Sequence, residues 1–200
     1  NTPGKASPPS ILSFSDTVLT LAIDKNVDDG GSPISLFKLF WATGSSPTTF
    51  TEVSSYDGIS TTHTLPSGVD TLTAGEIYNF KVRAVNSRGE SNEDSELITI
   101  AATNLLSSPT GLAKDSGRSS SKNIVMTWNS VAPIHTPGDT ILGYRLYVFD
   151  TSKSEYRKVF DGQEKSSPSQ KEFSYNEASI GEEVKFKVSV VTFNGESANP

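Results

Sequence analysis

The sequence predicts an all-β protein made of two β-sandwiches in tandem. Apolar and polar residues alternate in many short segments, which is the period of a strand with one buried face. No segment shows convincing helical periodicity. Several of the alternating segments recur about 106 residues later, and the 200-residue chain is long enough for two domains of about 100 residues.

The composition excludes several classes of site. The chain has no cysteine, so disulfides, thiol chemistry and thiolate metal sites are excluded. The formal net charge of −6 argues against nucleic acid or an anionic membrane as a partner. Residues 1–103 carry 6 basic and 12 acidic side chains, so the negative charge lies in the first half of the chain. The sequence contains no run of 18 apolar residues, so we expect no membrane insertion.

The clearest repeat pairs AGEIYNFKVRAVNSRGES, at residues 74–91, with IGEEVKFKVSVVTFNGES, at residues 180–197. The alignment places Tyr78 and Phe80 on Val184 and Phe186. Between the repeats, residues 102–111 are small, polar and proline-containing, as is typical of a domain boundary. We therefore predict one domain at residues 1–103 and a second at 104–200.

Turn residues separate the alternating segments into short strands, about seven in each repeat. The predicted strands of the first repeat are Ile11–Phe14, Val18–Ile23, Ser35–Trp41, Phe50–Val53, Thr62–Leu65, Ile77–Asn86 and Leu97–Ala101. Those of the second are Gly111–Ala113, Ile124–Trp128, Leu142–Phe149, Tyr156–Phe160, Lys171–Tyr175 and Glu183–Phe193. Such strands must bury one face against a second sheet, which predicts a two-sheet sandwich for each repeat.

The pattern L-x-A-G-x-x-Y-x-F-x-V-x-A-x-N-x-x-G-x-S at Leu72–Ser91 resembles the tyrosine corner of fibronectin type III domains. The Pro/Leu start of each repeat and Trp128 at the end of a strand resemble the same family. The resemblance covers nearly the whole chain and implies two immunoglobulin-like sandwiches, with a corner hydroxyl that bonds to upstream backbone. The residues expected to anchor the two cores are Phe37, Tyr78, Phe80, Trp128, Tyr144 and Phe186. Ile23 replaces the expected Trp in the first repeat, and Val184 replaces the corner Tyr in the second.

An acidic pole is the one predicted metal site. In this family the loops after the second and sixth strands meet at one end of the domain, which implies that their carboxylates gather there. They are Asp24, Asp28, Asp29, Glu90, Glu93 and Asp94. Clustered carboxylates repel one another unless a cation or a basic partner neutralises them. We therefore expect weak calcium binding or a basic protein surface here, or else solvated acidic loops. No other cofactor is expected.

Two further stretches invite a functional interpretation. Arg88–Ser91 reads Arg-Gly-Glu-Ser, one methylene longer than the receptor-binding Arg-Gly-Asp-Ser; since the second repeat keeps Gly-Glu-Ser without the Arg, we favour turn chemistry. His63 lies between threonines in a predicted strand and is interpreted as a solvated histidine. The sequence contains no catalytic motif, so we expect no enzyme activity.

The resemblance implies a structural or protein-interaction module, a spacer or adhesion segment of a larger protein, at the cell surface or outside the cell. Its partners are expected to be proteins, including neighbouring domains of the same chain. One alternative is an intracellular cytoskeletal or ciliary scaffold, which the absence of Asn-x-Ser/Thr sequons favours slightly. Another is an accessory spacer of a secreted polysaccharide-degrading enzyme. The second repeat stops soon after Gly-Glu-Ser, so its last strand is expected to be missing.

Overall fold

The structure, a computed structural model, describes residues 1–135 and 137–197. The chain divides into two compact units. Unit 1 comprises Asn1–Asn104 with His135–Gly138, and unit 2 comprises Leu105–Ile134 with Asp139–Pro200. The described residues form strands, turns and loops, and no helix among them is long and apolar enough to cross a membrane.

Unit 1 contains eight strands in two antiparallel sheets. They are β1 (Ser10–Phe14), β2 (Leu19–Ala22), β3 (Ile34–Thr43), β4 (Thr51–Glu52), β5 (Thr62–Leu65), β6 (Ile77–Asn86), β7 (Gly89–Glu90) and β8 (Ile98–Ala101). The smaller sheet has the order β1-β2-β5. The larger has the order β4-β3-β6-β7, and β8 pairs with the beginning of β6.

The core of unit 1 lies between its two sheets because each strand turns every second side chain inward. On β6 the inward residues Tyr78, Phe80, Val82 and Ala84 are almost completely buried. Phe37 and Leu39 of β3, Leu21 of β2 and Leu65 of β5 meet them in one apolar cluster. Ile23, which stands where the family has Trp, is 3% exposed in the same cluster.

The predicted tyrosine corner of unit 1 is confirmed. Tyr78 is 2% exposed, and its hydroxyl oxygen accepts a hydrogen bond of 2.7 Å from the backbone N–H of Thr73. This bond ties the loop before β6 to the core of the sandwich.

We expect Tyr78→Phe to lower the free energy of unfolding of unit 1 by about 1–3 kcal/mol, because it removes the acceptor of the Thr73 N–H and keeps the ring. Urea unfolding of the full chain measures this loss. Tyr156→Phe is a matched control, since Tyr156 is 39% exposed in unit 2. Equal stability of Tyr78→Phe and the wild type would show that the corner bond does not stabilise the fold.

Unit 2 repeats this plan. Its strands are β9 (Ala113–Lys114), β10 (Ile124–Thr127), β11 (Gly143–Asp150), β12 (Glu155–Asp161), β13 (Glu172–Tyr175), β14 (Phe186–Thr192) and β15 (Gly195–Glu196). One sheet has the order β13-β10-β9, and the other has the order β12-β11-β14-β15. The expectation about a missing last strand falls on the end of the chain, beyond Ser197, and lies outside the described residues.

Trp128 organises the core of unit 2. It is 5% exposed, and its ring centroid lies 6.1 Å from that of Tyr144 and 6.2 Å from that of Phe160. Phe186 packs against the same cluster while partly exposed. Tyr144 is 1% exposed, and its hydroxyl oxygen accepts a bond of 3.1 Å from the N–H of Val131. Val184 has no hydroxyl for a corner bond, and in unit 2 the buried Tyr144 of β11 makes a hydrogen bond to backbone instead.

The strand predictions are confirmed in part. Thr62–Leu65 and Ile77–Asn86 match β5 and β6 residue for residue. The predicted Glu183–Phe193 is wrong at its start, since β14 begins at Phe186. The two-residue strands β7 and β15 were not predicted, because a two-residue segment shows no periodicity.

Candidate interaction face on the larger sheets

Three of the predicted metal-binding aspartates accept hydrogen bonds from the backbone of their own loop. Asp24, Asp28 and Asp29 each accept a hydrogen bond from the backbone N–H two residues later, at 2.9, 3.0 and 2.8 Å. This is the Asx-turn geometry of a short polar loop. Glu93 is exposed, and its backbone carbonyl accepts a bond of 3.0 Å from Ser91 Oγ.

The other two carboxylates of the predicted pole are paired with cations of the larger sheet. Glu90 lies 2.6 Å from Lys38 Nζ and 3.3 Å from Arg83 Nη1. Asp94 lies 2.6 Å from Lys81 Nζ and 2.5 Å from Arg83 Nε. The hydrogen bond from Lys38 is the main reason that the pKa of Glu90 is lowered. In the described part of the chain, no three Asp, Glu or His side chains are arranged to hold a metal ion.

Weak calcium binding by the acidic pole remains a prediction of the sequence. Since Glu90 and Asp94 already have cationic partners, we expect any binding to rely on the loop aspartates, and Asp28→Asn to weaken it. Calcium titration by calorimetry, with the melting temperature as a second measurement, tests this. If neither the heat nor the melting temperature changes with calcium, the prediction is wrong.

The Gly-Glu-Ser repeat has the same structural role in both units. Gly89 and Glu90 pair with Asn86 and Val85, just as Gly195 and Glu196 pair with Thr192 and Val191. The following serine donates its backbone N–H to the inward strand residue, Ser91 to Ala84 at 2.9 Å and Ser197 to Val190 at 2.8 Å. The motif therefore closes the hairpin at the end of β6 and of β14. This supports the interpretation of the Arg-Gly-Glu-Ser stretch as turn chemistry.

In unit 2 the glutamate of the motif is bound more extensively. Glu196 accepts hydrogen bonds from Arg145 Nη1 at 2.9 Å, from Tyr147 Oη at 2.7 Å and from Ser189 Oγ. Burial raises the pKa of Glu196, but these three donors outweigh it and hold the pKa below its usual value. Burial and the bond to Glu196 together raise the pKa of Tyr147 to about 12.

On the larger sheet of each unit, a lysine lies over two aromatic rings. In unit 1, Lys81 Nζ is 4.2 Å from the ring centroid of Phe50 and 6.0 Å from that of Phe40. In unit 2, Lys187 Nζ is 4.5 Å from the ring centroid of Tyr156 and 5.2 Å from that of Tyr147. These are cation–π distances. The rings are partly exposed, so each larger sheet presents aromatic and charged groups on the side away from its core.

We call this surface the outer face. In unit 1 it consists of Lys38, Phe40, Phe50, Lys81, Arg83, Glu90 and Asp94. In unit 2 it consists of Arg145, Tyr147, Tyr156, Lys187, Ser189 and Glu196. The repeat alignment already places Lys81 on Lys187 and Phe40 on Tyr147, so a sequence signal for the outer face existed. The alternation that predicts the fold depends on the inward positions, whereas Phe40 and Lys81 lie at outward positions, so the fold prediction does not reveal this face.

The interpretation of His63 as solvated is wrong. His63 is 9% exposed, because it shares the inward face of β5 with Leu65, two residues later. Its Nε2 lies 3.2 Å from Ser55 Oγ, and its ring meets that of Tyr56 edge-on at 5.4 Å. Burial lowers the pKa of His63, although Asp70 and Asp57 act in the opposite direction.

This depressed pKa predicts acid sensitivity of unit 1. Above pH 6.5, the ordinary histidine value, His63 is neutral in both the folded and the unfolded chain, and its contribution to stability is fully present. As the pH falls below 6.5, the unfolded chain takes up the proton first, so stability is lost until the pH passes the folded pKa. Urea unfolding at pH 7.5 and pH 5 tests this, with His63→Gln expected to reduce the difference. An equal difference in the wild type and His63→Gln would contradict it.

No family model matches the chain, and no curated protein matches it. The solved structures similar to it include the chicken CNTN1 FN1–FN3 domains, 19% identical with a TM-score of 0.41, covering 99% of this chain and 64% of that one. A two fibronectin type-III domain segment from chicken tenascin is 17% identical, with a TM-score of 0.38 and coverage of 100% and 97%. The twitchin kinase region from C. elegans is 20% identical, with a TM-score of 0.44 and coverage of 52% and 17%.

The chain thus spans less than two thirds of the CNTN1 structure. The fold itself follows from the strand pairing. In each unit, one sheet holds the first, second and fifth strands, and the other holds the third, fourth and sixth strands with the short strand of the Gly-Glu-Ser motif. Each unit is therefore an immunoglobulin-like β-sandwich with the fibronectin type III fold.

Proposed function

We propose that the chain is a non-catalytic structural and protein-interaction module of a larger protein, and that it binds protein partners through the outer face. The repeated arrangement of lysine, aromatic rings and glutamate in the two units supports this most. Aromatic side chains and arginine are enriched in protein interfaces, and the outer face holds both in a partly exposed state.

The ion pairs of the outer face make it a fixed surface. Arg83 and Arg145 each bind two carboxylates, so their side chains are already ordered before any partner arrives. Ordering such side chains upon binding costs about 0.5–1.5 kcal/mol each, and a pre-ordered face avoids that cost.

Capture from an extract of the source cells tests this function. Three forms of the full chain are immobilised: the wild type, a Phe50→Ala/Tyr156→Ala variant, and Thr64→Ala in the smaller sheet of unit 1 as the control. Thr64 is exposed and its hydroxyl lies 3.1 Å from that of Thr20 on the smaller sheet, so its loss is expected to leave the outer face unchanged. We expect proteins retained by the wild type and the control to be lost from the double variant. Equal retention by all three folded forms would contradict binding by the outer face.

We further propose a position at the cell surface or outside the cell, with an intracellular scaffold as the alternative. Protease treatment of intact source cells, read out with an antibody to this chain, distinguishes the two. Loss of the signal from intact cells supports the surface position, and protection until lysis supports the scaffold.

A further inference from the structure

Unit 1 has a second surface feature, a cleft of about 230 Å³ that uses none of the residues of the outer face. One wall is the start of β3, and the other is the loop that follows β4. The residues that line it are Lys25, Ile34, Ser35, Leu36, Phe37, Gly58 and Ile59. Ile59 is 74% exposed at the rim, an unusual exposure for a large aliphatic side chain.

Lys25 supplies the charge of this cleft. Its Nζ lies 4.2 Å from the ring centroid of Phe37 and donates a hydrogen bond of 2.6 Å to Tyr56 Oη. A longer bond of 3.4 Å reaches the carbonyl of Gly58. Both partners are neutral, and Lys25 makes no ion pair with any residue that the structure describes. Burial lowers the pKa of Lys25, which Asp57 offsets only in part, so the ammonium group would gain from a carboxylate partner.

Asp57, the acidic side chain that raises the pKa of Lys25, is held by hydrogen bonds within its own loop. Its carboxylate accepts hydrogen bonds from the backbone N–H of Ile59 at 2.9 Å and of Ser60 at 2.8 Å, and from Ser60 Oγ at 2.5 Å. These bonds lower the pKa of Asp57 to about 2, so it stays ionised and in place. Asp57 therefore shapes the wall of the cleft and leaves the ammonium of Lys25 available.

The same wall is held close to β3 by Gly58. Gly58 has a φ of +77°, and a Cβ there would lie 3.0 Å from both Leu36 Cβ and the Phe37 carbonyl oxygen. Tyr56 Oη donates a bond of 2.7 Å to the Ser60 carbonyl, which fixes the other end of the loop. The cleft is therefore largely formed before a ligand binds, which lowers the entropic cost of binding.

We propose that this cleft binds an acidic peptide segment of a protein partner, in which a carboxylate pairs with Lys25 and a neighbouring aliphatic side chain covers Ile34, Leu36 and Ile59. The positive charge of Lys25 favours a carboxylate on the peptide. The exposed aliphatic rim at Ile59 favours an apolar side chain next to that carboxylate. Pockets that enclose a drug-sized ligand have volumes of roughly 300–1,000 Å³. This cleft is smaller and open on one side, so it can hold side chains of a peptide while the peptide backbone stays outside. The outer face contributes nothing to this site, so each proposal can fail without the other.

NMR titration of the full chain with acetyl-Leu-Glu-Leu-amide tests the proposal, and acetyl-Leu-Gln-Leu-amide is the neutral probe. We expect the glutamate peptide to shift the amide signals of residues 34–37 and 58–59. We expect about tenfold or more weaker binding of the glutamine peptide, since a hydrogen bond to a charged group contributes roughly 1.5–3 kcal/mol. Salt should weaken only the binding of the glutamate peptide.

Three variants complete the experiment. Lys25→Met is expected to bind the two peptides equally weakly, whereas Lys5→Met, which removes a lysine paired with Glu96, is expected to bind like the wild type. Ile59→Asp places a negative charge at the rim, so it should abolish binding of the glutamate peptide. Because Ile59 is 74% exposed, this variant is expected to stay folded. It therefore tests the proposal even if Lys25→Met unfolds the chain. The proposal is overturned if the signals at the cleft do not shift, if the two peptides bind equally to the wild type, or if Ile59→Asp binds as the wild type does.

Discussion

Replacing Trp128 with alanine is expected to lower the free energy of unfolding of unit 2 by about 3–5 kcal/mol, the cost of removing a large buried aromatic side chain. Trp128 is 5% exposed and contacts the rings of both Tyr144 and Phe160, so its loss leaves a cavity between the two sheets. A domain of this size has a total stability of about 5–15 kcal/mol, so this loss would remove a large part of the stability of unit 2.

Amide hydrogen exchange of the full chain is the appropriate measurement because it reports on each strand separately. We expect exchange to accelerate in β10, β11 and β14 of Trp128→Ala and to stay unchanged in β2 and β6. Ile180→Ala is the control, since Ile180 is 76% exposed and its loss should cost less than about 0.5 kcal/mol. A loss below about 1 kcal/mol for Trp128→Ala would contradict the central role of this residue.

The indole N–H of Trp128 has no hydrogen-bond partner among the residues that the structure describes. The contacts that the structure shows for Trp128 are packing contacts with the surrounding apolar cluster. Trp128→Phe keeps an aromatic ring and removes no hydrogen bond, so it should destabilise unit 2 less than Trp128→Ala does. Ile23 holds the matching position in unit 1 at 3% exposure, so an aliphatic side chain can fill this position of the fold.

Asp161→Asn is expected to destabilise unit 2 by about 2–4 kcal/mol, near the lower end of the cost of breaking a buried ion pair. The side chain of Asp161 is 4% exposed and lies 2.6 Å from Lys158 Nζ and 2.8 Å from Arg145 Nε. It also accepts bonds from the backbone N–H groups of Gln163 and Glu164 at 3.0 and 3.2 Å. The asparagine variant loses the charge that holds both cations, although Arg145 keeps its second partner, Glu196.

The same residue predicts how the stability of unit 2 changes with pH. Burial raises the pKa of Asp161, but the hydrogen bonds from Lys158, Glu164 N–H and Arg145 outweigh it and lower the pKa to about 2. The carboxylate is thus easier to ionise in the folded chain than in the unfolded one. Its stabilisation, about 2 kcal/mol, is fully present above the unfolded pKa near 4 and is lost as the pH falls toward 2.

Urea unfolding of unit 2 between pH 5 and pH 2 measures this loss. The wild type should lose more stability over this range than Asp161→Asn, and the difference between the two proteins should shrink as the pH falls. Glu164→Gln is the control, because Glu164 is 68% exposed and its pair with Lys158 is a surface contact. A wild type and an Asp161→Asn variant with parallel pH profiles would show that Asp161 does not carry the acid dependence.

The sequence predicts well which residues point their side chains into the two cores. Long alternation defined Ile77–Asn86, and within it Tyr78 and Phe80 are buried as expected. The chemistry of the surface is harder to predict, because each pair there joins residues far apart in sequence. Lys38 and Glu90 are 52 positions apart, and their contact depends on the register of β3 against β6 and β7. The Thr neighbours of His63 favour a solvated position, but His63 lies two residues before the buried Leu65 and therefore on the inward face of β5.

By itself the sequence determined the all-β class, the tandem repeat, the tyrosine corner of unit 1 and the anchoring role of Trp128. Strand period and the shared motifs of the two repeats are patterns within short segments, so they can be recognised in the sequence without knowledge of the fold. Only the tertiary structure decided that Glu90 and Glu196 belong to ion-pair networks, that Lys81 and Lys187 lie over aromatic rings, and that Lys25 lines a cleft. Those facts depend on strand register and on the close approach of the Gly58 loop to β3, which bring together side chains from distant segments.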